Sequence, residues 1–169
     1  MLFVGRLDKI AIPNVEAAVW FVGKVLPMIV RKVPDVKLII AGANPSEEVL
    51  ALRSEYVKII PNYESLESVY SLADIVLLPL LSGGGVKGKL LEAAAFGKII
   101  ITTKHGIEGT TFQHMEHVLL ANSYEEFAER CISVLLNQSK YEKLSIHAKE
   151  LFEKEYTGST DWKNYNLRN

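Results

Sequence analysis

Ser82-Gly83-Gly84-Gly85-Val86-Lys87-Gly88-Lys89-Leu90-Leu91-Glu92 lies between an apolar run at 75–81 and a helical pattern that closes at Gly97. Strand, glycine loop, helix start: this order brings bare backbone N–H groups and the positive end of a helix dipole to one point, which attracts phosphate. Lys87 and Lys89 add positive potential there. The stretch reads as the holder of the diphosphate of a nucleotide-activated ligand.

Outward from the loop, apolar runs alternate with helical patterns. Strands are expected at 2–4, 36–41, 57–60, 74–80, 98–103 and 118–121. Helices are expected at 14–33, with a kink at Pro27, and at 47–54, 64–72, 89–96, 123–137 and 139–155. Gly97 reads as a C-cap, and Ser123 with Glu126 as a capping box. The run at 74–80 is apolar apart from Asp74 and Pro79, as befits a strand buried on both faces of a parallel sheet. The fold class is therefore α/β: a three-layer, Rossmann-like domain of about six parallel strands flanked by helices. Such sheets bind ligands beyond the carboxyl ends of their strands, where strand order reverses. Arg6, Tyr63 and the glycine loop all follow strand ends and are expected along one edge. Residues 1–156 read as one domain and 157–169 as a polar tail.

Nineteen basic and 20 acidic residues give a net charge of −1, which argues against a nucleic-acid or general membrane-surface binder. Cys131 is the single cysteine, so no internal disulfide forms, and it reads as a buried thiol within a helix. No apolar stretch is expected to reach the ~20 residues of a membrane span. The expected location is the cytoplasm, or the inner face of the membrane through a further domain. The chain opens directly in a strand, as an excised domain would, and a missing N-terminal partner domain is expected.

Two familiar patterns fit the loop imperfectly. Gly83-x-x-x-x-Gly88-Lys89 approaches a P-loop, but Leu90 stands where a Mg²⁺-binding hydroxyl is required. Gly83-x-Gly85-x-x-Gly88 fits the dinucleotide fingerprint, yet it follows the fourth strand rather than the first. The window for its acidic residue holds Thr102, Thr103, Lys104 and His105. A third reading uses Glu92, placed by the expected helix in its first turn, where the dipole favours a carboxylate. It can accept hydrogen bonds from ribose hydroxyls beside a phosphate site. The plain alternative is a solvated i, i+3 pair with Lys89.

Several segments together resemble the C-terminal, donor-binding domain of GT-B glycosyltransferases of family 4. They are Phe3-Val4-Gly5-Arg6-Leu7, Lys37-Leu38-Ile39-Ile40-Ala41-Gly42, Tyr70-Ser71-Leu72-Ala73-Asp74-Ile75 with Pro79, and Lys89-Leu90-Leu91-Glu92-Ala93-Ala94-Ala95-Phe96-Gly97-Lys98. Thr103-Lys104-His105-Gly106-Ile107-Glu108-Gly109 resembles the loop that follows in the same family. The resemblance runs from residue 2 to about 155. It implies one half of a GT-B fold, binding a UDP-, GDP- or ADP-sugar for transfer to a sugar, lipid-linked or polysaccharide acceptor, in a retaining reaction without a further cofactor. It also implies that the chain alone is inactive for want of its N-terminal domain.

Residue by residue, the resemblance matches Arg6 to the donor diphosphate, Glu92 to the ribose, and Gly84, Gly85, Val86 and Lys87 to the loop along phosphates and sugar. With these, Arg6, Lys87 and Glu92 form the expected catalytic set; Gly5, Tyr63 and Lys89 complete the binding set. The chain departs from the family pattern twice. Gly84 stands where the E-x7-E motif has its first glutamate, and Lys9 is too close to Arg6 to match the lysine of the first loop. Lys87 or Lys89 is expected to supply the missing charge. A non-catalytic nucleotide or phosphosugar module, or a GT-B-type sugar-nucleotide epimerase, is the alternative.

Other polar residues read differently. His114 and His117 flank Glu116, but no third ligand is near, so they are expected at turns or the surface, not on a metal. His105 falls on the ligand edge and could touch the donor sugar. Tyr63 could stack on a base or pack against the next helix. Trp20 reads as core, and Trp162 as a contact to a partner domain.

Overall fold

The computed structural model describes residues 1–83 and 86–157, the side chain of Val86 excepted. Gly84, Gly85 and Trp162, like the loose tail expected beyond Thr157, lie outside the described residues.

Six parallel strands form one sheet: β1 (Leu2–Val4), β2 (Leu38–Ala41), β3 (Val57–Ile60), β4 (Ile75–Leu78), β5 (Ile99–Thr102) and β6 (Leu119–Leu120). Their order is β3-β2-β1-β4-β5-β6. Leu2 pairs with Ile39 on one side and Val76 on the other, and Ile75–Leu78 runs in register with Ile99–Thr102. The strands are built from Val, Ile and Leu because both faces are covered. Phe3, Leu38, Ile40, Ile75 and Leu77 enter one core, and Leu2, Val4, Val76, Leu78 and Ile100 the other. The expected α/β class and strand count are thus observed.

The first layer holds α1 (Ile12–Trp20), α2 (Leu26–Lys32), α3 (Glu47–Leu50) and α6 (Tyr124–Leu136); the second holds α4 (Leu66–Tyr70), α5 (Val86–Ala95) and α7 (Glu142–Glu155). Trp20 and Phe21 both meet Phe127 edge-to-face, with centroids 5.8 and 6.1 Å apart, and join α6 to the first layer. Trp20 is only partly buried.

Several boundaries differ from expectation. The first helix starts at Ile12 and accommodates Pro27 by a π-helical turn, Phe21–Val25, in which the Leu26 N–H donates to the Phe21 carbonyl. A proline lacks the N–H that would bond four residues back and crowds that carbonyl, and the wider turn absorbs both defects. Residues Ile12–Lys32 are also long and apolar enough to cross a membrane by length and composition, correcting the sequence expectation. Phe21, Val25, Leu26 and Ile29 of this segment are buried in the domain core. The helix expected at 64–72 shortens to α4, capped by reciprocal Ser65 and Ser68 bonds. At α6, Ser123 accepts from the Glu126 N–H, but the Glu126 carboxylate returns to the Asn122 N–H rather than to Ser123.

Candidate functional site

The chain leaves β1 toward β2 and β3, and leaves β4 toward β5 and β6, so strand order reverses between β1 and β4. The loop carrying Gly5 and Arg6 and the glycine loop flank that reversal, at the edge where open α/β sheets take ligands. Backbones are crowded here. A Cβ on Gly42 would fall 1.8 Å from the Gly5 carbonyl oxygen, so no side chain fits. Gly83 has φ +100° and packs on Pro13 at the start of α1.

Glu92 is wholly buried. Its Oε2 accepts from the Tyr70 hydroxyl at 2.8 Å, and Lys89 Nζ lies 3.4 Å from Oε2 and 3.5 Å from Oε1. Burial first, then the Glu92 charge, holds the Tyr70 phenol well above its usual range. The same two causes, in the same order, raise the half-buried Tyr63 phenol. Tyr70, Lys89 and Glu92 thus form one polar cluster beside the start of α5, and Tyr63 lies near enough to feel the Glu92 charge. Tyr63 also packs against the second core.

This arrangement corrects the expected position of Glu92. Helix α5 begins at Val86, not Lys89, and has no acidic residue in its first turn. Glu92 lies in the second turn, where the dipole contributes little. A buried phenol and the Lys89 ammonium hold the carboxylate instead. The i, i+3 pair with Lys89 does form, but over a buried carboxylate rather than on a solvated face.

Arg6 lies in the adjacent loop, its Nε donating to Asp8 Oδ2 at 2.6 Å. The Arg6 hydrogen bond, ahead of the Ile10 and Ala11 N–H groups, holds the Asp8 carboxyl below its usual range. Asn14 donates to the Arg6 carbonyl. Lys87 is exposed and turned toward α7, its Nζ 6.0 Å from the Tyr156 ring centroid. The structure therefore brings Lys89 and Glu92 together, with Tyr63 near enough to feel the Glu92 charge, Arg6 across the strand reversal and Lys87 toward the helix behind. His105 holds the loop: its Nε2 is 2.9 Å from the Gly83 carbonyl oxygen and its Nδ1 3.2 Å from Glu108 Oε2.

Sequence reasoning did not single out Tyr70. It stands 22 residues before Glu92, and only packing between α4 and α5 joins them. The available signal was a tyrosine on the buried face of a short helix. A shallow hollow of about 200 Å³, lined by Pro13, Trp20, Pro79 and Leu81 among others, was also not anticipated. It lies between α1 and the residues that lead into the glycine loop, and Glu92 is not among its lining.

The remaining candidates have structural partners. His114 Nδ1 accepts from the Leu120 N–H and His117 Nδ1 from the Gln113 N–H. Among the described residues no group of three or more His, Cys, Asp or Glu is placed to hold a metal ion. Cys131 is buried, which pushes its thiol up to about 12 and makes it a poor nucleophile.

Residues 1–137 match the family described as "Glycosyl transferases group 1". The chain belongs to that family. The C-terminal domain of a glycosyl transferase group 1 family protein from Francisella tularensis has the same fold, at a TM-score of 0.68 and 16% identity over 92% of this chain and 85% of that one. This group 1 domain therefore has the fold of the C-terminal half of a GT-B glycosyltransferase. The HepE protein of Anabaena, crystallised with UDP and glucose, is similar at a TM-score of 0.63 and 12% identity, over 98% of this chain and 46% of that one. In sequence, the chain is 33% identical to an uncharacterized 44.6 kDa protein in the cps region of Klebsiella pneumoniae, over 92% of this chain and 42% of the relative. The chain thus spans less than half the length of that curated relative.

Proposed function

We propose that this group 1 chain is the donor-binding half of a glycosyltransferase. It holds a nucleoside diphosphate sugar while the rest of the whole protein presents the acceptor. The observation that carries the reading is Glu92: a buried carboxylate at the strand reversal, beneath the start of a ten-residue helix that follows a glycine loop. The HepE structure with UDP and glucose supports the same donor class.

In this reading the first amides of α5 and the glycine loop meet the diphosphate. Arg6, on leaving Asp8, and Lys87, on swinging back from the Tyr156 ring, add cationic charge, and Glu92 accepts from the ribose. Lys89 leaves Glu92 for a phosphate as the ribose arrives. During retaining transfer these amides and cations stabilise the charge gathering on the departing nucleoside diphosphate, a role that is electrostatic and uses no resident cofactor. The base rests toward Tyr63, beyond β3. By itself the chain binds donor and turns over little, because the acceptor side belongs to the other half. The whole protein works in the cytoplasm or on the inner face of the membrane.

A melting-temperature panel of UDP, GDP and ADP with their hexose conjugates tests this. One of them at about 100 times its Kd should stabilise the chain by about 2.7 kcal/mol. Arg6→Ala and Lys87→Ala should each then weaken binding by about tenfold in calorimetry, the loss of one charge-assisted contact. If none of the nucleotides raises the melting temperature, the donor-binding reading fails. If binding survives both substitutions unchanged, the phosphate assignment fails.

A further inference from the structure

Tyr70 has no part in the donor reading above, yet it makes the shortest contact to Glu92 among the described residues. Both side chains are shielded from solvent, at 1% and 0% exposure. The Tyr70 ring stacks on Phe96 with centroids 4.8 Å apart and planes 10° off parallel. Phe96 lies one turn beyond Glu92, just past the end of α5. The segment that carries the carboxylate thus also sets the ring that grips it.

The two carboxylate oxygens are unequal. Oε2 takes a short bond from the buried Tyr70 phenol and lies 3.4 Å from Lys89 Nζ, whereas among the described residues Oε1 has the 3.5 Å contact to Lys89 alone. Lys89 straddles both oxygens and is the part-exposed member of the cluster, so a ligand reaches the carboxylate by taking the place of its ammonium. An ionised carboxylate has about four acceptor positions, and Oε1 keeps most of its own. A carboxylate already pinned by a phenol has less side-chain freedom left to lose on meeting a ligand than a free one.

We infer that Tyr70 is a positioning residue: it pins Oε2 of Glu92 so that Oε1 is presented to a ribose hydroxyl, making the site select ribonucleotides over 2′-deoxyribonucleotides. This rests on the donor-binding reading. Lys89 covers both oxygens until the ligand displaces it, and the Tyr70 bond to Oε2 keeps the carboxylate in place with Oε1 left for the hydroxyl.

The test measures calorimetric affinity of the chain for UDP, GDP and ADP and for the 2′-deoxy form of each. The best ribonucleotide should bind wild type at least about tenfold more tightly than its deoxy form, the value of one hydrogen bond to a charged group. Tyr70→Phe keeps the ring and its stack. It should lose most of that preference by weakening the ribonucleotide, while the deoxy form binds as before. A Tyr70→Phe protein that melts cooperatively and keeps the full preference overturns the role. A merely structural part for Tyr70 would weaken both nucleotides equally, which also overturns it. Should the variant not fold, the Tyr70 hydroxyl proton of wild type decides by NMR: it should shift with the ribonucleotide and stay with the deoxy form, and equal shifts refute the role. If none of the six nucleotides binds wild type, the donor-binding reading fails and takes this role with it.

Discussion

Two carboxylates each hold a cation beside the strand reversal, and they do so in opposite settings. Asp8 meets Arg6 at 2.6 Å, with side chains 24% and 43% exposed; Glu92 meets Lys89 at 3.4 Å, with side chains 0% and 21% exposed. By distance the first pair is the stronger. Solvent reverses that ranking, because water screens the Asp8 pair and competes for its hydrogen bonds. Around Glu92 water is excluded, so losing a partner leaves a desolvated charge or a stranded phenol. Burial, more than separation, sets what a polar contact is worth here. The exposed pair is also the one that can re-form on a ligand at little cost. The buried one requires Lys89 to be exchanged for something as good.

The largest effect that can break this contrast is Glu92→Ala. It strands the Tyr70 hydroxyl and the Lys89 ammonium, and should cost about 3 kcal/mol in urea unfolding, at the low end for a broken buried pair because Lys89 is part-exposed. A loss no greater than that of a surface substitution would mean that the cluster is wetter than its geometry implies.

A second test uses acid. Burial is the leading cause that lowers both His114 and His117 below the ordinary histidine value of 6.5. Arg130 further lowers His114 while Glu126 raises it; Glu116 and Glu155 raise His117 while His147 lowers it. The folded state therefore prefers both rings neutral, each with Nδ1 accepting a backbone N–H. Their contribution is whole above pH 6.5. It is lost as pH falls further, through the lowered folded values, because the unfolded chain takes up more protons. His117 is buried and His114 exposed, so the melting temperature should fall from about pH 7.5 to about pH 5 chiefly through His117, and less steeply in His117→Asn. A slope identical in the variant would remove His117 from the explanation.

The smallest effect belongs to Asp8→Asn. The amide keeps an oxygen for the Ile10 and Ala11 N–H groups, and only the exposed charge pair is lost. The urea midpoint should stay within error of wild type. Nucleotide affinity should hold or rise slightly as Arg6 is released. A marked destabilisation would show that exposure is a poor guide at this edge.

Much of the fold was legible because both faces of the sheet are dry. Strands buried on two sides must be runs of Val, Ile and Leu, and each β segment was found within two residues of its place. Helix ends were harder. The start of α5 was set three residues late because Gly88 reads as loop, although its neighbours propagate the helix through it. That shift moved Glu92 into the wrong turn. The glycine loop, Arg6 and Glu92 could be named as candidates from residue type and order. Their partners could not, since Asp8, Tyr70 and Tyr156 are ordinary in local sequence.

The sequence by itself determined the parallel α/β layers, the family and the edge on which polar chemistry gathers, because hydrophobic periodicity and glycine placement are local and repeat along the chain. Only the tertiary structure decided that Glu92 is sealed from water, that a phenol 22 residues earlier grips it, and that Lys87 turns away while Lys89 covers the carboxylate. Those outcomes depend on how α4, α5 and α7 close on one face of the sheet, and desolvation is a property of that closure rather than of any single residue.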